Sequence, residues 1–168
     1  VLAYSGTRIG AVSKLRRQDL EHEGDQWVIS FNEKGGKHRK VPVRHDLQKL
    51  LFGYLDAAGI PESDGKTPLF RTSKGKTGKL SEKAMTDNDM QRMFKRRLKK
   101  AGLPPTLSPH SFRVATITNL LTQGVPLEDV QNLANHADPR TTRLYDRRRR
   151  KVTRNIVERI PVYSEIDD

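Results

Sequence analysis

The 168-residue chain has no cysteine, which excludes disulfides, thiol nucleophiles and thiolate metal sites. Aromatic residues make up only 6% and do not alternate along any segment, so the stacking platform of an RNA-binding surface is missing. No apolar run reaches the roughly 18 residues that a membrane-spanning helix requires, and no charged-then-apolar leader precedes the first helical stretch. A soluble cytoplasmic protein with no membrane partner is expected. Acidic residues are scarce beside basic ones, 20 against 32, giving a formal charge of +12. That excess argues against a small-molecule substrate and for a polyanion, nucleic acid first and an anionic membrane surface second. His22, His38 and His45 are scattered without carboxylates at ligand spacing, so neither a metal nor a cofactor is expected.

The length suits one domain, 1–168, with most of a proper core. Because the chain opens at Val1, without an initiator Met and already in a helical pattern, it reads as a fragment. Leu2, Ile9, Val12 and Leu15 predict helix, turn, helix, with Gly6 and Gly10 weakening the pattern. Gln26 to Asn32 and Lys40 to Val43 predict two strands joined by a hairpin at Gly35-Gly36. Asp46 to Ala58 predicts a helix stopped by Gly59. Leu69-Phe70 reads as a short third strand, and Arg71 to Lys83, alternating Lys with Gly, Ser and Thr, as a mobile surface loop. Asp87 to Ala101 is a basic amphipathic helix with Met90, Met93, Phe94 and Leu98 inward. Ser111 to Gln123 is a helix with Phe112, Ala115, Leu120 and Leu121 on its inner side, followed by helices at Pro126 to Ala134 and Thr141 to Arg150 and an amphipathic segment at Val152 to Ile160. The fold class is α+β, mainly α-helical, with a small antiparallel β-sheet at one edge.

Six residues carry chemistry. His110 and Arg113 stand three apart in SPHSFR, His136 follows in LANHADP, and Tyr145 comes nine residues later in TTRLYDRR. Arg8 in SGTRIG and Lys34 in NEKGGK complete the set. Breaking a phosphodiester requires a nucleophile in line with the leaving oxygen, donors for the charge that builds on phosphorus oxygens, and a proton for the departing oxygen. One phenol, two guanidiniums, two imidazoles and an amine supply these without a metal. Arginine offers paired N–H donors to two phosphate oxygens, which lysine cannot do with the same geometry.

In that order, from Tyr4 to about Ile160, the residues resemble the catalytic set of the tyrosine recombinases, or phage-type integrases. The resemblance implies the catalytic domain of a mobile-element enzyme that cleaves and rejoins double-stranded DNA through a 3′-phosphotyrosyl intermediate, without ATP or metal. It implies Tyr145 as nucleophile, His110 as proton acceptor, and Arg8 and Arg113 as the phosphate clamp. It also implies Lys34 as general acid, with Lys37 in competition, and His136 as donor to a non-bridging oxygen. An amino-terminal DNA-binding domain would be absent. The protein would be nucleoid-associated when bound, a homotetramer on DNA and a monomer when free.

Two departures from the family pattern matter. An acidic residue three positions after the first arginine is replaced by Ala11, and the glycine before the second histidine by Asn135, which tolerates left-handed backbone angles. Lys37, Arg39, Lys40, Lys95, Arg96 and Lys99 are candidate DNA-backbone contacts, with a solvated face as the bland alternative. Bland alternatives exist for the site as well: a half-buried helix tyrosine at 145, surface ion pairs at Arg8 and Arg113, a capping histidine at 136. A type IB topoisomerase and a non-catalytic DNA-binding module are the competing functions.

Overall fold

The computed structural model describes residues 1–33 and 35–146, so Lys34, the cations from Arg147 to Lys151 and the apolar segment Val152 to Ile160 lie outside the described residues. The predicted helix, turn, helix at the start forms as two short helices, α1 (Leu2–Ser5) and α2 (Ile9–Val12). Gly6 caps α1 at φ 59°, a left-handed angle that glycine adopts without a Cβ penalty.

Three antiparallel strands follow: β1 (Leu20–Glu23), β2 (Gln26–Glu33) and β3 (Lys37–Pro42), in that spatial order. Ile29 pairs with Val41, Phe31 with Arg39 and Glu33 with Lys37, and the connection turns through Gly35 and Gly36 at φ 82° and 72°. β1 was not predicted, because LEHE carries one apolar residue; pairing with β2, Leu20 opposite Ile29, makes it a strand.

The helix α3 (His45–Ala58) buries Leu47, Leu51 and Leu55 and ends at Gly59 in a left-handed cap, as its spacing predicts. The third strand begins later than Leu69, whose N–H instead donates to the Leu15 carbonyl (2.8 Å). The stretch expected to be a mobile loop is a hairpin, β4 (Arg71–Ser73) with β5 (Leu80–Ala84). Its backbone groups pair across the two strands, Thr72 and Ser81 share a hydroxyl bond at 2.6 Å, and the Arg71 N–H donates to the Tyr54 hydroxyl at 3.2 Å. Polar composition says how little a segment can bury; it does not say whether its backbone finds a partner.

The basic helix α4 (Asp87–Lys100) is capped by Thr86, whose hydroxyl accepts from the Asp89 N–H. It buries Met90 and Leu98, while Met93 stays 38% exposed. Next come α5 (Pro109–Thr122), α6 (Leu127–Ala134) and α7 (Pro139–Arg143). On α5 the buried ladder is Pro109, Arg113, Ile117 and Leu121, so the inner face is turned from the one expected: Phe112 and Ala115 are exposed. A buried arginine on that stripe is what a search for apolar periodicity misses.

Two apolar clusters result. One joins α1, α2, the three-stranded sheet, α3, Leu69 and Met90; the other joins Ile117, Leu121, Val130 and Ala134 of α5 and α6, with Tyr145 packed against it. Among the described residues, no helix is long and apolar enough to cross a membrane. Leu121 is fully buried and Leu50 is 64% exposed. Leu121→Ala should therefore lower stability by about 2–5 kcal/mol in urea denaturation, and Leu50→Ala should stay within about 0.5 kcal/mol of the parent.

Candidate active site

The site forms where the two clusters meet. Arg113, one turn into α5, is 2% exposed, and its guanidinium bridges distant segments. Nη1 donates to the Gly6 carbonyl at 2.6 Å and Nη2 to the Ala134 carbonyl at the end of α6. Burial and then the charge of Arg8 press its pKa down to about 10, against the pull of Glu33 and Tyr145. Arg113 therefore remains a cation at neutral pH. His110, on the same side of the helix start, is exposed in the first turn.

At the end of β2 stands a residue the sequence reading passed over. The Glu33 carboxylate, 4% exposed, accepts from Arg8 Nη1 (3.2 Å) on one oxygen and from Arg39 Nη2 (2.8 Å) on the other. Asn135 Nδ2 donates to the first oxygen at 3.1 Å. Arg8 leaves Glu33 with more than half of its side chain in solvent. The missed signal was a lone carboxylate placed beside NEKGGK's lysines, in a chain whose Ala11 removes the acid expected elsewhere.

Arg39 departs from its expected place among the outward cations. Its side chain is 8% exposed, bonded to Glu33, to Thr7 Oγ1 (2.6 Å) and to the Leu133 carbonyl, with Cζ 5.2 Å over the Phe31 ring. The reason is the two-residue strand period, which puts Arg39 on the face of buried Val41 and His38 and Lys40 on the other. Lys40 is exposed and pairs with Glu21 and Glu23, which raise its pKa. Lys37 is exposed, as are Arg96 and Lys99 on α4; Lys95 donates to the carbonyls of Pro105 and Leu107 at 2.5 and 2.8 Å.

Asn135 caps α6 at φ 50°, ψ 46°, the left-handed conformation that its tolerance anticipates, and so turns the chain into His136. The His136 ring is buried, with Nδ1 2.9 Å from the hydroxyl of Thr142, itself fully buried on α7. It stacks on the Tyr145 ring, centroids 5.9 Å apart and planes 11° from parallel. Tyr145 lies just past α7, which Asp138 caps by accepting from the Arg140 N–H at 2.8 Å. Burial, then Arg113, then Arg8 push the His136 pKa from 6.5 down to about 4. Its imidazole is neutral at neutral pH.

Arg8, Arg113, His136 and Tyr145 thus come together, tied by Glu33 and Asn135. A family model described as the phage integrase family matches residues 1–151. The chain belongs to the phage integrase family. It is 31% identical over 146 residues to tyrosine recombinase XerC of Bradyrhizobium diazoefficiens, covering 86% of this chain and 43% of that protein. To tyrosine recombinase XerA of Pyrococcus furiosus it is 28% identical over 95% of this chain and 52% of the relative. The crystal structure of XerA recombinase superposes with a TM-score of 0.70 at 25% identity, over 97% of this chain and 55% of that one. XerH site-specific recombinase bound to its difH substrate gives 0.67 at 25% identity, over 86% and 40%. The chain spans about half the length of the relatives it matches, or less.

A histidine whose folded pKa lies below its unfolded value stabilises the fold above that unfolded value, and the contribution is lost as pH falls toward the folded one. For this integrase-family chain the window runs from 6.5 down to about 4. Side-chain NMR should show the His136 ring nitrogens neutral at every pH above about 5.

Proposed function

We propose that this chain is the catalytic domain of an enzyme that cuts and rejoins double-stranded DNA at specific sites, as in integration and recombination. The single observation that carries the reading is the gathering of two arginines, a neutral imidazole and a tyrosine ring at one seam. The Tyr145 oxygen attacks the scissile phosphorus and the bond to the 5′-oxygen breaks, leaving a phosphotyrosyl link on the 3′ side. His110 accepts the phenolic proton, and the departing 5′-oxygen takes one from a lysine of the β2–β3 turn, Lys34 or Lys37. The 5′-hydroxyl of a partner strand then attacks the link and reverses each step, so the bond energy is conserved and no ATP is consumed.

The surroundings support these roles. A guanidinium has five N–H donors; Arg113 gives two to protein carbonyls and keeps three for a phosphate, and Arg8 reaches solvent beside it. The role requires the Thr142 hydroxyl to donate to Nδ1, 2.9 Å away, so that the neutral His136 ring carries its proton on Nε2 and offers it to a non-bridging oxygen. Such preset donors are aimed at charge that grows in the transition state, where each is worth roughly 10²–10³ in rate.

Double-stranded DNA is the partner, reached through Lys37, Lys40, Lys95, Arg96 and Lys99, while Arg39 serves within the protein. Assembly as a homotetramer on DNA from free monomers belongs to the same proposal.

A duplex nicked beside the cleavage site traps the covalent link, because the short 5′ fragment diffuses away. The parent chain should form a protein–DNA adduct resolved by denaturing electrophoresis, Tyr145→Phe should form none, and Arg113→Lys should be slowed roughly 10²–10³-fold. No adduct with the parent would leave a module that binds DNA without cutting it. DNA affinity should fall linearly on a log–log plot against salt, and Arg96→Ala and Lys99→Ala should each lower the slope by about 0.9 in a binding titration.

A further inference from the structure

Glu33 has no role in the chemistry just described, yet its carboxylate accepts four hydrogen bonds from three residues at the seam. One oxygen accepts from Arg39 Nε (3.2 Å) and Nη2 (2.8 Å); the other accepts from Arg8 Nη1 (3.2 Å) and Asn135 Nδ2 (3.1 Å). Those partners stand next to working groups: Arg8 is itself one, and Asn135 precedes His136. Arg39 in turn holds Thr7, the residue before Arg8, and the carbonyl of Leu133 on α6. A buried carboxylate facing four N–H donors from three residues offers directional acceptors that an exposed arginine would otherwise find only in water.

Its electrostatic reach is wider than its contacts. Glu33 opposes the depression of both the Arg113 and the His136 pKa. Three guanidiniums around one carboxylate leave the cluster net positive, ready for a phosphate, while reducing their mutual repulsion. Ala11, 7% exposed in the apolar cluster, supplies no acceptor.

We propose that Glu33 is the positioning residue of the phosphate clamp: it aims the Arg8 guanidinium at the scissile phosphate and, through Asn135, fixes the turn that delivers His136. It supplies from the β2–β3 hairpin the carboxylate that position 11 lacks. The proposal rests on the strand-cleaving reading.

Two measurements on Glu33→Gln test it. Gln keeps the size of the side chain but loses the charge and one acceptor. In the parent chain, ¹⁵N relaxation of the Arg8 Nε–H should report an ordered side chain, and in Glu33→Gln a mobile one, with the thermal unfolding midpoint retained. On the nicked duplex at saturating protein, single-turnover adduct formation should slow about 10²-fold, the size a misplaced donor produces, with DNA affinity changed less than about twofold. Combining Glu33→Gln with Arg8→Ala should cost less than the product of the two single losses, because the part of the effect that acts through Arg8 is already removed. If Glu33→Gln is too unstable to measure, Asn135→Gly keeps the left-handed turn and removes only the amide; it should slow adduct formation by itself. An Arg8 equally ordered without the carboxylate, or rate losses that multiply in the double variant, overturns the proposal. A parent chain that forms no adduct overturns the strand-cleaving reading instead, and the Arg8 relaxation then decides alone whether Glu33 positions it.

Discussion

One buried guanidinium holds the two halves of this domain in register. Arg113 reaches from α5 to the carbonyl that ends α1, 107 residues earlier, and to the carbonyl that ends α6, 21 residues later. Withdrawing an arginine from water is costly unless its donors are met, so the two carbonyls and the charge must be buried together or not at all. The apolar clusters on either side have little reason to prefer one relative placement over another; a cation that needs both carbonyls does. The same contact sets the residue that faces the phosphate in the proposed chemistry, so the integrity of the fold and the aim of the site depend on a single side chain.

Around that point the domain balances charge. Arg8, Arg39 and Arg113 gather near one buried carboxylate, and burial together with the field of Arg113 and Arg8 keeps His136 neutral. An imidazole with so low a pKa is a poor proton acceptor, so His136 does not compete for the role of base. A tyrosine stacked face to face on it has its ring orientation, and with it the position of the phenolic oxygen, limited by packing. The excess of basic residues in the composition thus resolves into two populations: arginines turned inward to build the seam, and lysines with some arginines left outward on β3 and α4.

Arg39 and Arg17 show why charge alone does not sort a residue into one population or the other. Arg39 stands in the sequence as a candidate DNA contact and Arg17 in the basic pair Arg16-Arg17, yet both side chains are buried: Arg39 against Glu33, Arg17 on the Leu20 carbonyl with a long pairing to Glu62 at 3.9 Å. For Arg39 the alternation of β3 held the answer, since Val41 two residues on is core. For Arg17 no strand alternation did: the Leu20 carbonyl lies three residues on, and Glu62 meets it only in the folded chain.

Much was legible from the chain itself. The order of Arg8, His110, Arg113, His136 and Tyr145, the hairpin at Gly35-Gly36, the helix at His45–Ala58 and the left-handed tolerance of Asn135 all rest on local rules: side-chain chemistry, period 3.6, positive φ at glycine or asparagine. The family followed from the same order of residues. What the tertiary structure alone decided was partnership. The strand at Leu20–Glu23, the hairpin in place of a loop at Arg71–Ala84, the rotated inner face of α5 and the place of Glu33 at the centre of the clamp each depend on a group far away in sequence. A local pattern specifies what a segment can do; only the fold brings a carboxylate at 33 within reach of guanidiniums at 8 and 39 and an amide at 135, because hydrogen bonds and ion pairs are satisfied in space and not along the chain.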